Sequence, residues 1–335
     1  MKSFLLRRLL PLVIFGAVMV WAITKIDWPL IGRQLAASSL AEDAAMAVCW
    51  IIALLFRPLR LLVLVKAMMP EIERRYWPLW SANVMAMATN TVIPMRAGDV
   101  MMAFVLRQSL CVSTARASSL VVVDRFFDFA TVIVIFVSML SLAPTVAPWA
   151  ASATTTLLVA LALLVGGLWL LIRTRGFWMA LLDRLLSGVS AQRAKGLSDT
   201  AHELFAGLAQ IERPRVVGLV LLFSICLWGM STASFWFGIR AVWPDVPVAA
   251  AALTVGAVAL SFVVPVAPGG FGVFHGAAVL SLALFGIPVE PALAFAIVTH
   301  GFQMSSVLVF GMIAMAWQGI SLRSLASLRD GRPAP

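Results

Sequence analysis

The chain has 335 residues, 62% of them hydrophobic and 12% charged, with a formal net charge of +10. Soluble domains average roughly 45–50% apolar and about 25% charged residues, so a water-soluble fold is excluded. The apolar residues come in blocks of roughly 17–25, the length at which a helix crosses a hydrocarbon core, and the short alternating strands of an outer-membrane barrel are absent. These features predict an all-α, polytopic membrane protein forming a single transmembrane domain. The three cysteines, Cys49, Cys111 and Cys226, sit in or beside apolar runs without metal-ligand spacing.

In chain order, Lys2, Arg7 and Arg8 precede an apolar run that reads as an uncleaved first span, Leu9–Ile26. Further spans are predicted at Ala44–Val65, Ser118–Leu142, Thr154–Ile172, Val216–Ile239 and Pro291–Trp317. Two other apolar blocks, Leu79–Val112 and Ala249–Ile287, are interrupted halfway. The first is broken at Pro94-Met95-Arg96-Ala97-Gly98-Asp99 and the second at Pro265-Val266-Ala267-Pro268-Gly269-Gly270-Phe271-Gly272. Each reads as two short helices meeting at a break, the pattern of a re-entrant hairpin.

Lysine and arginine favour the cytoplasmic ends of spans. With the N-terminus inside, Lys66, Arg74, Arg75, Arg107, Arg116, Arg173, Arg175, Arg184, Arg193, Lys195, Arg213, Arg215, Arg323, Arg329 and Arg332 fall on that side. Only Lys25, Arg33 and Arg240 fall on the other. Both termini are therefore expected in the cytoplasm of a cell with an inner or plasma membrane. The two hairpins then enter from opposite faces, which makes residues 44–142 and 216–317 an inverted repeat, a transporter signature. Between the repeats, Phe177, Trp178, Leu181, Leu182, Leu185 and Leu186 recur at helical spacing beside Arg175 and Arg184. They predict an amphipathic connector, about residues 173–215, either lying on an anionic lipid surface or packed as a linker. Positive-inside bias accounts for the net charge, so nucleic-acid binding is not inferred.

Intramembrane charges are costly and mark functional sites by default. In the first break Arg96, Gly98 and Asp99 suit a phosphate, if Asp99 caps the second half-helix and leaves its N–H groups and dipole facing a cavity beside Arg96. The alternative is an Arg96–Asp99 ion pair that neutralises itself. In the second break Gly269, Gly270 and Gly272 let backbone N–H groups approach a ligand, with His275 a turn further in. Arg57 and Arg60 in the second span, with Asp124, Arg125 and Asp128 opening the third, are expected to line a cytoplasmic vestibule. His300 and Gln303 are expected in the matching place of the second repeat. The sequence offers no metal cluster, nucleophile elbow, P-loop or acidic pair, so no enzyme, cofactor or metal is expected.

The ordered motifs Pro94-Met95-Arg96-Ala97-Gly98-Asp99, Asp124-Arg125-Phe126-Phe127-Asp128 and Pro268-Gly269-Gly270-Phe271-Gly272 resemble the lysylphosphatidylglycerol synthase transmembrane family, the flippase-like membrane domain of bacterial multiple peptide resistance factors. The resemblance runs from about Leu9 to Trp317. It implies lipid translocation between leaflets by a stand-alone membrane domain, of the kind also linked with hopanoid-producing bacteria. The family often places an Arg-Glu pair after the glycine-rich break, where this chain has Phe274-His275. An aminoacylated phosphatidylglycerol cargo therefore does not carry over directly, and hopanoids, other phospholipids and polyprenyl lipids stay open. The expected function is a membrane lipid translocase with a lipid substrate. The alternatives are a transporter of a small soluble anion and a non-catalytic partner of a lipid-modifying enzyme.

Overall fold

The computed structural model describes residues 28–73, 75–93, 96–144, 150–186, 213–263 and 268–319, with the single positions 198, 201 and 205. The expected first span, Leu9–Ile26, and most of the connector beyond residue 186 lie outside the described residues, as do Pro94, Met95 and residues 264–267. Among the described residues the chain is all-helical, with eleven α-helices. They are α1 (Trp28–Ala36), α2 (Leu40–Met68), α3 (Tyr76–Val92), α4 (Ala97–Leu110), α5 (Thr114–Leu140), α6 (Ala150–Arg173), α7 (Arg175–Leu186), α8 (Pro214–Arg240), α9 (Val248–Ser261), α10 (Val273–Ala283) and α11 (Val289–Gln318). A 3-10 turn at Pro268–Gly270 precedes α10.

Local chemistry explains where these helices begin and end. Glu42 and Asp43 lie in the first turn of α2 and Lys66 in its last, each matched to the helix dipole. Pro214 opens α8, where its missing N–H costs nothing, and Arg240 closes it. Arg240 also pairs with Glu42 at 3.1 Å and lies over the Trp236 ring at 4.6 Å. Inside α2, Pro58 removes one ladder hydrogen bond. Nearby, the Tyr76 hydroxyl donates to the Leu55 carbonyl at 2.8 Å.

Four helices, α2, α6, α8 and α11, are long and apolar enough to cross a membrane. Helix α5 matches them in length with 27 residues but carries Arg116, Asp124 and Arg125 in its first half and Asp128 just past its midpoint. The two interrupted blocks form helix–break–helix pairs as expected: α3 packs on α4, and α9 on α10.

The chain divides into two compact units that cut across the sequence. One comprises Leu54–Arg125, Trp169–Phe223 and Met304–Pro335 and contains the first pair, α3/α4. The other comprises Met1–Ala53, Phe126–Leu168 and Ser224–Gln303 and contains the second, α9/α10. In the first unit Trp80 meets Phe310 edge-on, and a Cβ on Gly311 would come within 2.5 Å of the Ala88 Cβ, so α11 lies tight against α3. In the second, Phe235, Phe274 and Phe295 form the aromatic centre, and the Ser234 hydroxyl donates to the Met46 carbonyl at 2.9 Å.

Helix α9 approaches α5 at Gly256, where a Cβ would lie 2.9 Å from Phe136 Cβ and 3.1 Å from its Cα. A Gly256→Val change is therefore expected to destabilise the fold by about 1–3 kcal/mol through overpacking. Gly229→Val on α8, where nothing lies within 4 Å, serves as the control and should change little. Unfolding of the purified variants in detergent checks both.

Candidate functional site

The first break is built by α3, α4 and α5. Arg96 stands at the N-cap of α4 with φ 56° and ψ 33°, a left-handed conformation that costs a non-glycine residue of order 1–3 kcal/mol and that clusters at functional sites. Asp99 lies one turn in and faces two guanidiniums. Its Oδ2 is 3.2 Å from Arg96 Nε, and its Oδ1 is 3.0 Å from Arg125 Nε on α5. The three side chains are partly open, at 33%, 26% and 21% exposure for Arg96, Asp99 and Arg125. Two cations around one carboxylate give the trio a net positive charge at the dipole-positive end of a helix. Arg125 Nη2 also touches the Met102 sulfur at 3.4 Å.

Asp99 does not cap α4, contrary to the expectation. Its oxygens are committed to the arginines, and the cap comes from α3: the Gly98 N–H donates to Asn90 Oδ1 at 2.7 Å. This bond requires glycine, because a Cβ at residue 98 would overlap the Ala86 carbonyl and crowd Asn90 at 2.7 Å. Sequence reasoning missed Asn90. A lone amide four residues before the proline of an apolar hairpin was the available signal.

Arg60 and Asp124 do not line an open vestibule either. Arg60 Nη2 is 2.7 Å from Asp124 Oδ1 and Nε donates to the same oxygen at 2.9 Å, with both side chains 1% exposed. Away from water a charge is tolerated only with a partner, and this pair ties α2 to α5 beside the Arg125 branch of the first break. Arg57 is half-buried on α2 in the same unit. At the loop end of that unit Arg116 pairs with Glu71 at 2.5 Å.

The second break lies in the other unit and has different chemistry. Gly269, Gly270 and Gly272 adopt φ of 61°, 71° and 81°, as expected where the chain turns sharply between two half-helices. The turn is closed, where an open cradle of N–H groups was expected. A Cβ at Gly270 would overlap the Phe262 ring, and the Gly269 carbonyl is within 2.9 Å of His300 Nε2. His300 is 4% exposed and stacks on Phe274 with ring centroids 4.4 Å apart and planes 6° apart. His275 meets it edge-on at 5.2 Å. His300 therefore belongs to the break itself, whereas the sequence placed it in a vestibule. Asp128 is buried on α5 in this unit, and Gln303 is half-buried on α11.

An all-helical chain with four long apolar helices and two helix breaks defines a multi-pass membrane protein. It belongs to the lysylphosphatidylglycerol synthase transmembrane-region family, whose sequence profile matches residues 8–311. No curated protein and no solved structure matches the chain.

Because the Arg60–Asp124 pair is inaccessible, removing one partner takes a short buried ionic contact from the other. Arg60→Leu or Asp124→Leu alone should cost about 3–5 kcal/mol, and the double Leu variant should recover most of that loss. A double-mutant cycle on unfolding of the purified protein measures it.

Proposed function

We propose that this protein is a lipid translocase of a bacterial inner membrane, moving a phospholipid, hopanoid or related lipid between leaflets. Its family supports lipid handling, and the observation that carries the reading is the first break. There Arg96 and Arg125 are held 3.2 and 3.0 Å from the single carboxylate of Asp99, at the N-terminus of α4. A phosphate arriving at this point meets two planar guanidiniums suited to bidentate recognition and a favourable helix end. Asp99 spaces the arginines and neutralises part of their charge while no head group is bound. The hydrocarbon tails stay in lipid while the head group passes.

The inverted repeat belongs to the same proposal. Helices α2, α3, α4 and α5 have 29, 17, 14 and 27 residues, and α8, α9, α10 and α11 have 27, 14, 11 and 30. This is the same order of long, short, short, long. Each compact unit also combines one hairpin with part of α2, α5, α8 and α11. In the membrane the two hairpins are re-entrant, dipping from opposite faces, and Arg96, Asp99 and Arg125 stand at the tip of the one that enters from the cytoplasmic side. The exposed Phe177, Trp178 and Leu185 of α7, at 63%, 40% and 70%, rest on the anionic lipid surface.

In proteoliposomes, wild type is expected to expose a labelled phospholipid or hopanoid reporter to a membrane-impermeant quencher, and Arg96→Ala to lose at least about tenfold of that rate while remaining folded. Equal rates for the two proteins would remove Arg96 from the mechanism. Anion uptake without lipid movement would favour the soluble-anion reading. Stable co-purification with a lipid-modifying enzyme, with phenotypes indifferent to Arg96, would favour a partner role.

The orientation is testable with a native thiol. Cys111 is exposed in the turn after α4, while Cys49 is buried and Cys226 half-buried. A membrane-impermeant maleimide should label Cys111 in inverted vesicles but not in intact spheroplasts; labelling from the periplasmic side would reverse the topology.

A further inference from the structure

The unit of the second hairpin contains a cavity of about 760 Å³ between α5, α6, α9 and α10. Its wall carries no charged side chain. Leu253 forms the floor at 0% exposure, and Ala153, Ala257 and Ala277 leave space that larger side chains would fill. Of the hydroxyl-bearing residues lining it, Ser281 is turned to the hairpin's own use: its Oγ lies 2.9 Å from Thr254 Oγ1 and 3.0 Å from the Ala278 carbonyl, joining α10 to α9. The cavity is thus a dry, apolar space of the size that binds small molecules.

Its surroundings identify the occupant. Leu280, which lines the cavity, is also 69% exposed, so the space is continuous with the outer surface of the unit. Helix α6, which supplies Ala153 and Leu157 to the wall, has only 6% of its apolar span buried and presents Leu158, Val159 and Leu163 outward. In a multi-pass membrane protein such a surface faces hydrocarbon, and apart from the hydroxyls of Ser152, Thr156 and Ser281 the lining side chains are apolar, so a hydrocarbon chain matches the wall better than a polar occupant does. An apolar void left empty forfeits contact on every side.

We propose that this cavity is an acyl-chain site, in which a lipid tail enters from the bilayer past Leu280 and lies between the two arms of the second hairpin and α6. As the tail subsite of the transported lipid it rests on the translocase reading; occupancy of the cavity by a lipid chain does not.

The test uses the full chain in phosphatidylcholine vesicles containing a trace of phosphatidylcholine with a diazirine on its acyl chain, with cross-linked positions mapped by mass spectrometry. Recessed Leu253, Ala257 and Ala277 are expected to be labelled. Ala277→Trp, or the milder Ala277→Leu, should cut labelling at Leu253 and Ala257 severalfold and leave the outward Leu163 unchanged. Labelling of Leu163 without labelling of the recessed positions in wild type would overturn the proposal, as would recessed labelling indifferent to the filled variants. A disulfide-linked dimer formed through Ala277→Cys would assign the cavity to a second copy of the chain and also overturn it. Lipid movement is measured on the same vesicles: recessed labelling without movement keeps the tail site and removes the translocase reading, and movement without recessed labelling does the reverse.

Discussion

A helix broken inside a membrane must satisfy its freed backbone groups from within the protein, since hydrocarbon offers no hydrogen bonds. Among the described residues, each of the two breaks has a side chain that reaches its backbone. At the first, Asn90 of α3 accepts the Gly98 N–H at the start of α4. At the second, His300 of α11 reaches the Gly269 carbonyl. These two bonds support α3/α4 and α9/α10 as short paired helices: Gly98 permits the close approach of α4 to α3, and Gly269 adopts the left-handed φ of the second turn.

The breaks then diverge in chemistry. With the cap supplied by Asn90, Asp99 is released to hold Arg96 and Arg125, and the first break becomes a partly open, positively charged site. The second break is filled by Phe262, Phe274 and His300 and is stiffened by stacking. Beside it lies an uncharged cavity. One break thus carries charge and is partly open, and the other is apolar and closed. The buried Arg60–Asp124 pair belongs to the first unit and anchors α5 one residue before Arg125, which sets where the second guanidinium can reach.

Much of this was legible in the sequence because bilayer thickness fixes helix length and Pro/Gly runs interrupt it. The spans expected at Ala44–Val65, Val216–Ile239 and Pro291–Trp317 fall within α2, α8 and α11, and both hairpins appear where the breaks put them. Arg96 and Asp99 were found as charges inside an apolar block. Their mutual pair was legible as the alternative reading, whereas the partner on another helix, Arg125, was not, because an ion pair between helices depends on which of them become neighbours. The sequence placed Asp124 and Asp128 at the start of the third span but could not say that Asp124 would pair with Arg60. Asn90, and the bond that His300 makes to the second break, escaped for a related reason: each acts on the backbone of another segment, and one sequence shows no such long-range partner.

The central claim is that the first break binds a lipid phosphate, and the most direct measurement is binding of a short-chain, water-soluble phosphatidylglycerol to the purified protein in detergent. The account predicts saturable binding by wild type that weakens at least about tenfold, or 1.4 kcal/mol, in both Arg96→Ala and Arg125→Ala while Arg33→Ala, at an exposed position on α1, binds like wild type. Equal affinity across all four proteins would contradict it.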